Sequence, residues 1–506
     1  MRVDKLEIKS EWKNLEGFKI DFDESRDVAV IIGKNGASKS NLLETLIRIF
    51  RDIDLKLTSD FAYSIIYRIG KDIVRVETEV DKRAKGFVND KPVTQEELRT
   101  SWTPRYVVGY YSGTSDRFQE LFLQHDKIAL DQTLEKGKKK VESLAFRRFT
   151  LARPVHGLFA LLAFYLSEDK QVVDFLRDFP RIEAFDSTLL ILHEPDWAKP
   201  GAKAEDFWGA KGPVRKLLES FRSYSLAPFI HQVPKEGSAG NAKKEVMYLY
   251  LPDLKNLHLL AKEYGQNPRE FFQALDTMRL SRLIDDFKVK VRIKGTTKAV
   301  HTRQLSEGEQ QLLTVLGLMR FTQDEESLYL LDEPDTHLNP SWGLEYLDRL
   351  RSIGGINKHS HTILATHDPL LVAGLLKQEI RVLMRNTKGR VIAIEPEESP
   401  RGTGVANVLT SQLYGLESQL DNFSLKVLKR IYEVSMMENY PLRERHLARL
   451  NKLAPDLAPT DSYPDPYKNI AKVAYEKALE AIVSSENSDN WKDEATERVT
   501  SFLYEK

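Results

Sequence analysis

The stretch VAVIIGKNGASKSNLLETLIRIF, residues 28–50, holds an apolar run, a glycine-bearing loop and a helical pattern in immediate succession. Leu42, Leu43, Leu46, Ile47 and Phe50 recur at helical spacing, so a strand predicts a loop at 33–40 that opens a helix with one apolar stripe. A loop entering a helix in this way turns backbone N–H groups and the positive end of the helix dipole toward one point, which suits phosphate oxygens. The loop follows Gly-x-x-x-x-Gly-Lys-Ser/Thr except at Ser38, where the second glycine belongs. Lys39 would reach the β and γ phosphates and Ser40 would hold Mg²⁺. Gly36 is kept and Asn35 tolerates left-handed geometry, so the tight turn is expected to rest on them. Ser38 is expected at an ordinary negative φ, the alternative being about 1–3 kcal/mol of strain.

Three later stretches match the same chemistry. LLDEPDTHLNP, 330–340, ends an apolar strand with Asp332, suited to a metal-bound water, and Glu333, suited to a general base. LILHEPDW, 190–197, has the same outline but places His193 where the metal-binding acid should stand, and is read as structural. In QLSEGEQQLL, 304–313, Ser306 and Glu309 have the spacing of a capping box. Beside Gly308, that serine also offers a hydroxyl and a helix N-terminus to a terminal phosphate. LATHDP, 364–369, ends another apolar strand with His367, placed to contact a γ-phosphate.

In order and spacing these elements resemble the ATP-binding-cassette ATPases, in the branch of the structural-maintenance-of-chromosomes proteins, RecF-type repair ATPases and OLD-like defence ATPases. The resemblance makes 33–40 the Walker A loop, 305–310 the signature, 328–333 the Walker B strand, 335–340 the D-loop and His367 the switch histidine. It implies that ATP is bound by Gly33, Asn35, Gly36, Ala37, Ser38, Lys39, Ser40 and Asn41. Signature residues Ser306, Gly308 and Glu309 would meet the nucleotide held by another copy, so the active unit would be a homodimer of heads or a higher oligomer. Glu333 and His367 would be catalytic, and Mg²⁺ would be held by Ser40, Asp332 and Gln119. The opening MRVDKLEIKS, the segment GTGVANVLTSQLYGLES at 402–418 and the lack of recognisable nuclease acids are similar to PtuA-type ATPases of Septu anti-phage systems, including retron-associated ones. There a separate HNH nuclease, PtuB, is the partner. Another two-component system, PARIS, pairs such an ATPase with a different nuclease.

The predicted fold class is therefore α/β: a cassette-type head with a mixed sheet and flanking helices, a large mainly helical insertion and a helical C-terminal region. The expected boundaries are 1–112 for the first lobe, 113–294 for the insertion, 295–398 for the second lobe and 399–506 for the remainder. At 506 residues the chain is long enough for roughly three domains. Its insertion is larger than the helical subdomain of transport ATPases and lacks the sustained heptads of chromosome-organising arms, which disfavours both. A repair ATPase acting on DNA directly remains the alternative.

Lys plus Arg equals Asp plus Glu at 75 each, so any nucleic-acid contact must come from a local patch. LEKGKKKVESLAFRRFTLAR, 134–153, is the candidate. There is no cysteine, which excludes disulfides, thiolate metal sites and a cysteine nucleophile. The N-terminus lacks a signal-peptide pattern, and the longest apolar run, GLFALLAFYL at 157–166, is too short to span a bilayer. A cytoplasmic protein with no membrane contact is expected.

Overall fold

The run VAVII that opens the decisive stretch is buried at all five positions, as a strand covered on both faces must be. The computed structural model describes residues 1–134, 147–234, 243–323, 325–357, 359–416, 420–435 and 440–453. Strands are numbered in chain order. The central sheet contains β3 (Val28–Ile32), β8 (Tyr106–Tyr111), β9 (Phe149–Leu151), β15 (Ser327–Asp332), β16 (Ser360–Ala365), β17 (Ile380–Arg385) and β18 (Val391–Ile394). Their order is β18-β17-β3-β16-β15-β8-β9, parallel throughout except for the β17–β18 pair.

A second, antiparallel sheet of six strands comprises β1 (Arg2–Ile8), β2 (Lys19–Asp21), β4 (Tyr63–Ile69), β5 (Asp72–Thr78), β6 (Lys85–Val88) and β7 (Lys91–Val93). The helix Lys39–Leu55 shares one core with both sheets. Its Leu42, Leu43, Leu46, Ile47 and Phe50 are buried with Ile65, Tyr67 and Val74 of the antiparallel sheet and Ile31, Leu330 and Ile363 of the central one. Each such side chain contributes about 2 kcal/mol on burial. Tertiary packing therefore holds this helix, and with it the phosphate loop at its start.

The region expected to be a mainly helical insertion carries more helix than strand among its described residues, in Gln119–Thr133, Pro154–Phe164, Lys170–Asp178, Gly212–Tyr224, Leu254–Lys262 and Pro268–Leu280. Its β9 extends the central sheet, so the core sheet does not end near residue 112. It also holds a five-stranded antiparallel sheet, order β11-β12-β10-β13-β14, from β10 (Ile182–His193), β11 (Phe229–Pro234), β12 (Lys243–Leu251), β13 (Ile284–Ile293) and β14 (Val300–His301). The stretch NPREFFQALDTMRLSRLIDDF is a helix only over Pro268–Leu280 and becomes strand β13 at Ile284. There the apolar period changes from helical to alternating. The helix Pro154–Phe164 is buried at His156, Gly157 and from Phe159 to Phe164, as its apolar run requires, and crosses the helix Glu307–Arg320 closely. A Cβ at Gly157 would lie 2.7 Å from Thr314 Oγ1, so only glycine permits that approach.

The chain divides into two units after Gly402, inside the stretch EPEESPRGTG that marks a boundary in the sequence. The second unit shows the helices Val405–Thr410, Asn422–Ser435 and Tyr440–Leu453 among its described residues.

Candidate functional site

Three motifs converge because three strands are neighbours. β16 pairs in parallel with β3 on one side and β15 on the other, so all three end at the same sheet edge. The phosphate loop leaves β3, Asp332 ends β15, and Thr366 and His367 follow β16. Carboxyl ends of parallel strands are where such sheets hold ligands.

In the loop, Lys34, Asn35 and Gly36 form an exposed tip, whereas Ala37, Ser38 and Lys39 are buried. Gly33 has φ 155°, and a Cβ there would sit 2.5 Å from the Leu383 carbonyl oxygen, so a side chain is barred. Positive φ occurs at Gly33, Gly36 (80°) and Ser38 (77°, ψ 19°), and not at Asn35. Both expectations about the turn are thus corrected: Asn35 carries no left-handed geometry, and Ser38 takes the strained conformation that a glycine would adopt freely. The chain must reverse at that position to start the helix at Lys39, and the Ser38 carbonyl already accepts from Leu42 N–H at 3.0 Å. The strain is about 1–3 kcal/mol. Only 8% of Ser38 is exposed, and its hydroxyl has no hydrogen-bond partner among the described residues.

Lys39 donates from Nζ to the Gly33 carbonyl at 3.0 Å and stands 4.0 Å from Glu333 Oε1. His367 Nδ1 lies 3.1 Å from the same carboxylate oxygen. Glu333 itself sits at φ 51°, its N–H donating 2.8 Å to the Ala365 carbonyl, so the turn after β15 is tied to β16. Asp332 is 2% exposed and both of its carboxylate oxygens lack a hydrogen-bond partner among the described residues. Burial pushes its carboxyl above the ordinary aspartate range, with the Ser40 hydroxyl pulling the other way. An unpartnered buried carboxylate is costly unless a cation completes it, so Asp332 and Ser40 fit the oxygen donors that Mg²⁺ takes. No cluster of three or more acidic, histidine or cysteine side chains forms a protein-only metal cage among the described residues.

Residues 305–310 and 335–340, expected as signature and D-loop, meet within the chain. Ser306 caps the helix Glu307–Arg320: its hydroxyl accepts from Glu309 N–H at 3.3 Å, and the Glu309 carboxylate accepts from Ser306 N–H at 2.7 Å and from its hydroxyl at 2.9 Å. Ser306 and Glu307 are exposed, while Gly308 is buried against the D-loop, where a Cβ would lie 2.5 Å from the His337 carbonyl oxygen. His337 Nδ1 is 3.1 Å from Glu307 Oε2. Asp335, next in the D-loop, is buried and accepts from the Thr366 hydroxyl beside His367. Burial pushes its carboxyl up to about 6.

Two proposed ligands are engaged elsewhere. Gln119 opens the helix Gln119–Thr133, its carboxamide oxygen accepting from Arg153 at 3.3 Å, and no contact among the described residues links it to Ser40 or Asp332. Asn41 donates to Asn14 Oδ1 at 2.6 Å and accepts from Arg117, which also donates to Glu44 at 3.0 Å. The sequence reading overlooked Arg117, two residues before Gln119, although its charge is felt at Asp332. It also overlooked the Asp335–Thr366 bond, for which the second acid of DEPD was the available signal. Residues 135–146 of the basic stretch lie outside the described residues. Its described arginines are held internally: Arg147 by Asp126 and Asp276, Arg148 by Asp54, Arg153 by Gln119. His193, in the stretch LILHEPDW, ends β10 in the five-stranded sheet and not in the central one.

A phosphate loop with its lysine, a buried strand-end aspartate, the glutamate after it and a facing histidine define a P-loop ATPase head of the cassette type. Residues 28–373 match the family described as "AAA domain, putative AbiEii toxin, Type IV TA system", and the chain belongs to it. It is similar to the Septu protein PtuA of Bacillus mycoides (strain KBAB4), with 29% identity over 135 residues, which is 27% of this chain and 18% of that protein. Among solved structures it is similar to the SMC head domain from Thermotoga maritima (14% identity, 78% of this chain and 100% of that one, TM-score 0.34). It is also similar to the recombination mediator RecF with ATP (14% identity, 78% and 99%, TM-score 0.30). No helix among the described residues is long and apolar enough to cross a membrane.

Proposed function

We propose that this chain is the ATP-driven subunit of an anti-phage defence pair, in which two heads close on ATP and control a separate nuclease of the HNH type. The observation that carries the reading is a gathered phosphate pocket (Lys39, Asp332, Glu333, His367) combined with a signature serine, Ser306, that stands exposed on the surface. An exposed helix N-terminus with a hydroxyl is complementary to a terminal phosphate presented by another copy. Within one pocket, Lys39 would hold the β and γ phosphates and Glu333 would accept the proton of the attacking water. His367, sharing the Glu333 oxygen, would orient that carboxylate and contact the γ-phosphate. Ser40 and Asp332 would hold Mg²⁺, which when bound neutralises charge developing on the phosphates. The partial likeness to a Septu protein supports the defence assignment, and no second reading is favoured by a specific contact.

The test is the mass in solution, by light scattering, of Glu333→Gln with and without Mg-ATP. The expected result is a twofold increase with ATP that Ser306→Arg abolishes. A mass independent of ATP would remove the dimer from the account.

A further inference from the structure

The five-stranded sheet packs one face into the protein, and on the other face Ile191 and Val246 are buried while a set of rings and cations reaches solvent. On β13 the pattern FKVKVR alternates strictly: Phe287, Val289 and Val291 are buried, and Lys288, Lys290 and Arg292 point the other way. On β12, Met247, Leu249 and Leu251 are buried, which turns Tyr248 and Tyr250 to that same outer face. The register confirms the alignment. Lys288 lies opposite Leu189, which lies opposite Tyr250; Asp286 lies opposite Ile191, then Tyr248, then Phe229 at the edge. Phe229 is 57% exposed and stacks on Tyr248 with centroids 4.7 Å apart and planes 6° from parallel; Tyr250 beside them is 37% exposed.

The bland alternative is a solvated charged strand. It leaves two features without a cause. Exposed rings on the outside of a sheet are stabilised only by one another, and a soluble surface seldom gathers them without a ligand. Among the described residues, no carboxylate pairs with Lys290 or Arg292, whereas Asp286 is already shared by Arg303 at 2.6 Å and Lys288 at 3.5 Å. The rings stand on β11 and β12 and the cations on β13, with β10 between β12 and β13. Two strand spacings are about 10 Å, a gap that a stacked base, its sugar and a lysine side chain bridge.

We infer that this face binds single-stranded nucleic acid, with bases stacking on Phe229, Tyr248 and Tyr250 and backbone phosphates meeting Lys288, Lys290 and Arg292. Unstacked bases supply the planar faces the rings need, and a phosphate chain is the ligand complementary to a row of cations. Duplex nucleic acid offers the phosphates but hides the base faces. The inference is independent of the nucleotide pocket and of the partner proposed above.

The test uses the full chain and fluorescence anisotropy with labelled dT20, rU20 and a duplex of equal length, across a salt series. The expected result is binding of one or both single strands, with log affinity falling linearly in log salt. Lys290→Glu with Arg292→Glu should weaken it at least tenfold and flatten the salt slope by about 1.4. Phe229→Ala, at an exposed edge that folding does not need, should weaken it about tenfold and leave the slope unchanged. ATP affinity, measured on the same variants, should not move. The inference is overturned by absence of single-strand binding at low salt, by equal binding in all variants, or by duplex binding as tight as single-strand binding. It is overturned equally if oligonucleotides are ignored and the charge reversal instead releases a co-purifying protein.

Discussion

Glu333 Oε1 lies 3.1 Å from His367 Nδ1, the glutamate arriving from the end of β15 and the histidine from the end of β16. That single contact joins the acid that follows the buried Asp332 to the histidine that follows the neighbouring strand, the two residues proposed above to act on the attacking water and the γ-phosphate. Replacing Glu333 with glutamine keeps size and removes the carboxylate proposed to accept the proton. Turnover, measured as phosphate release, is expected to fall by a hundredfold or more, within the range of about 10²–10⁴ for general base catalysis. ATP affinity should keep its order of magnitude. Unchanged turnover would place the base elsewhere.

Ser38 at φ 77° makes a second expectation. Ser38→Gly restores a residue that adopts this conformation without strain and removes a buried hydroxyl that lacks a partner. Stability to denaturant should rise by about 1 kcal/mol, the strain relieved exceeding the chain entropy that glycine adds. A loss of stability would show that the serine hydroxyl matters more than its backbone.

Gly308 has the opposite sensitivity. A methyl group there would come 2.5 Å from the His337 carbonyl oxygen, a backbone atom that cannot swing aside. Gly308→Ala should lower stability by about 1–3 kcal/mol and, by pushing the D-loop from the signature, reduce ATPase activity. Thermal unfolding and phosphate release together check this, and wild-type values in both would refute the close packing.

His156 predicts how stability follows pH. It is fully buried: Nδ1 accepts from Arg153 N–H at 2.9 Å, so Nε2 carries the proton and donates to Asp276 at 3.0 Å. Burial, first of all, lowers it to about 4. Between pH 6.5 and 4 this histidine binds a proton in the unfolded chain and not in the folded one, so its contribution, complete above pH 6.5, is lost as pH drops through that window, by on the order of 3 kcal/mol. Asp335, raised to about 6, acts in the opposite sense. Urea unfolding of the wild type and of His156→Gln at pH 7 and pH 4.5 isolates this contribution: the variant should lose less stability, or gain more, on acidification than the wild type, and an equal change in both would contradict it.

Much of this architecture was legible in the sequence because parallel strands buried on both faces leave long apolar runs, and VAVIIG, SLYLLD and HTILAT each end at a chemical residue. Spacing identified the elements, but the backbone around the loop is set by closure on the helix, which no propensity for Ser38 or Asn35 expresses. The five-stranded sheet was missed for a different reason. KKEVMYLYL and FKVKVR carry the strand period plainly, yet they are separated by the helices Leu254–Lys262 and Pro268–Leu280, whose stronger apolar patterns dominate the region. Arg117 and the Asp335–Thr366 bond depend on contacts between distant segments; Arg117 has no local signature, and of the bond only the second acid of DEPD shows in the sequence.

The most direct test of the central claim, that Lys39, Asp332 and His367 surround one triphosphate, is equilibrium ATP binding with Mg²⁺ to the wild-type chain and to Lys39→Ala. The expected result is saturable binding by the wild type, with affinity at least a hundredfold weaker in the variant, in line with about 3 kcal/mol for a buried charge-assisted contact. Equal affinity in the two proteins, or none in either, would contradict it.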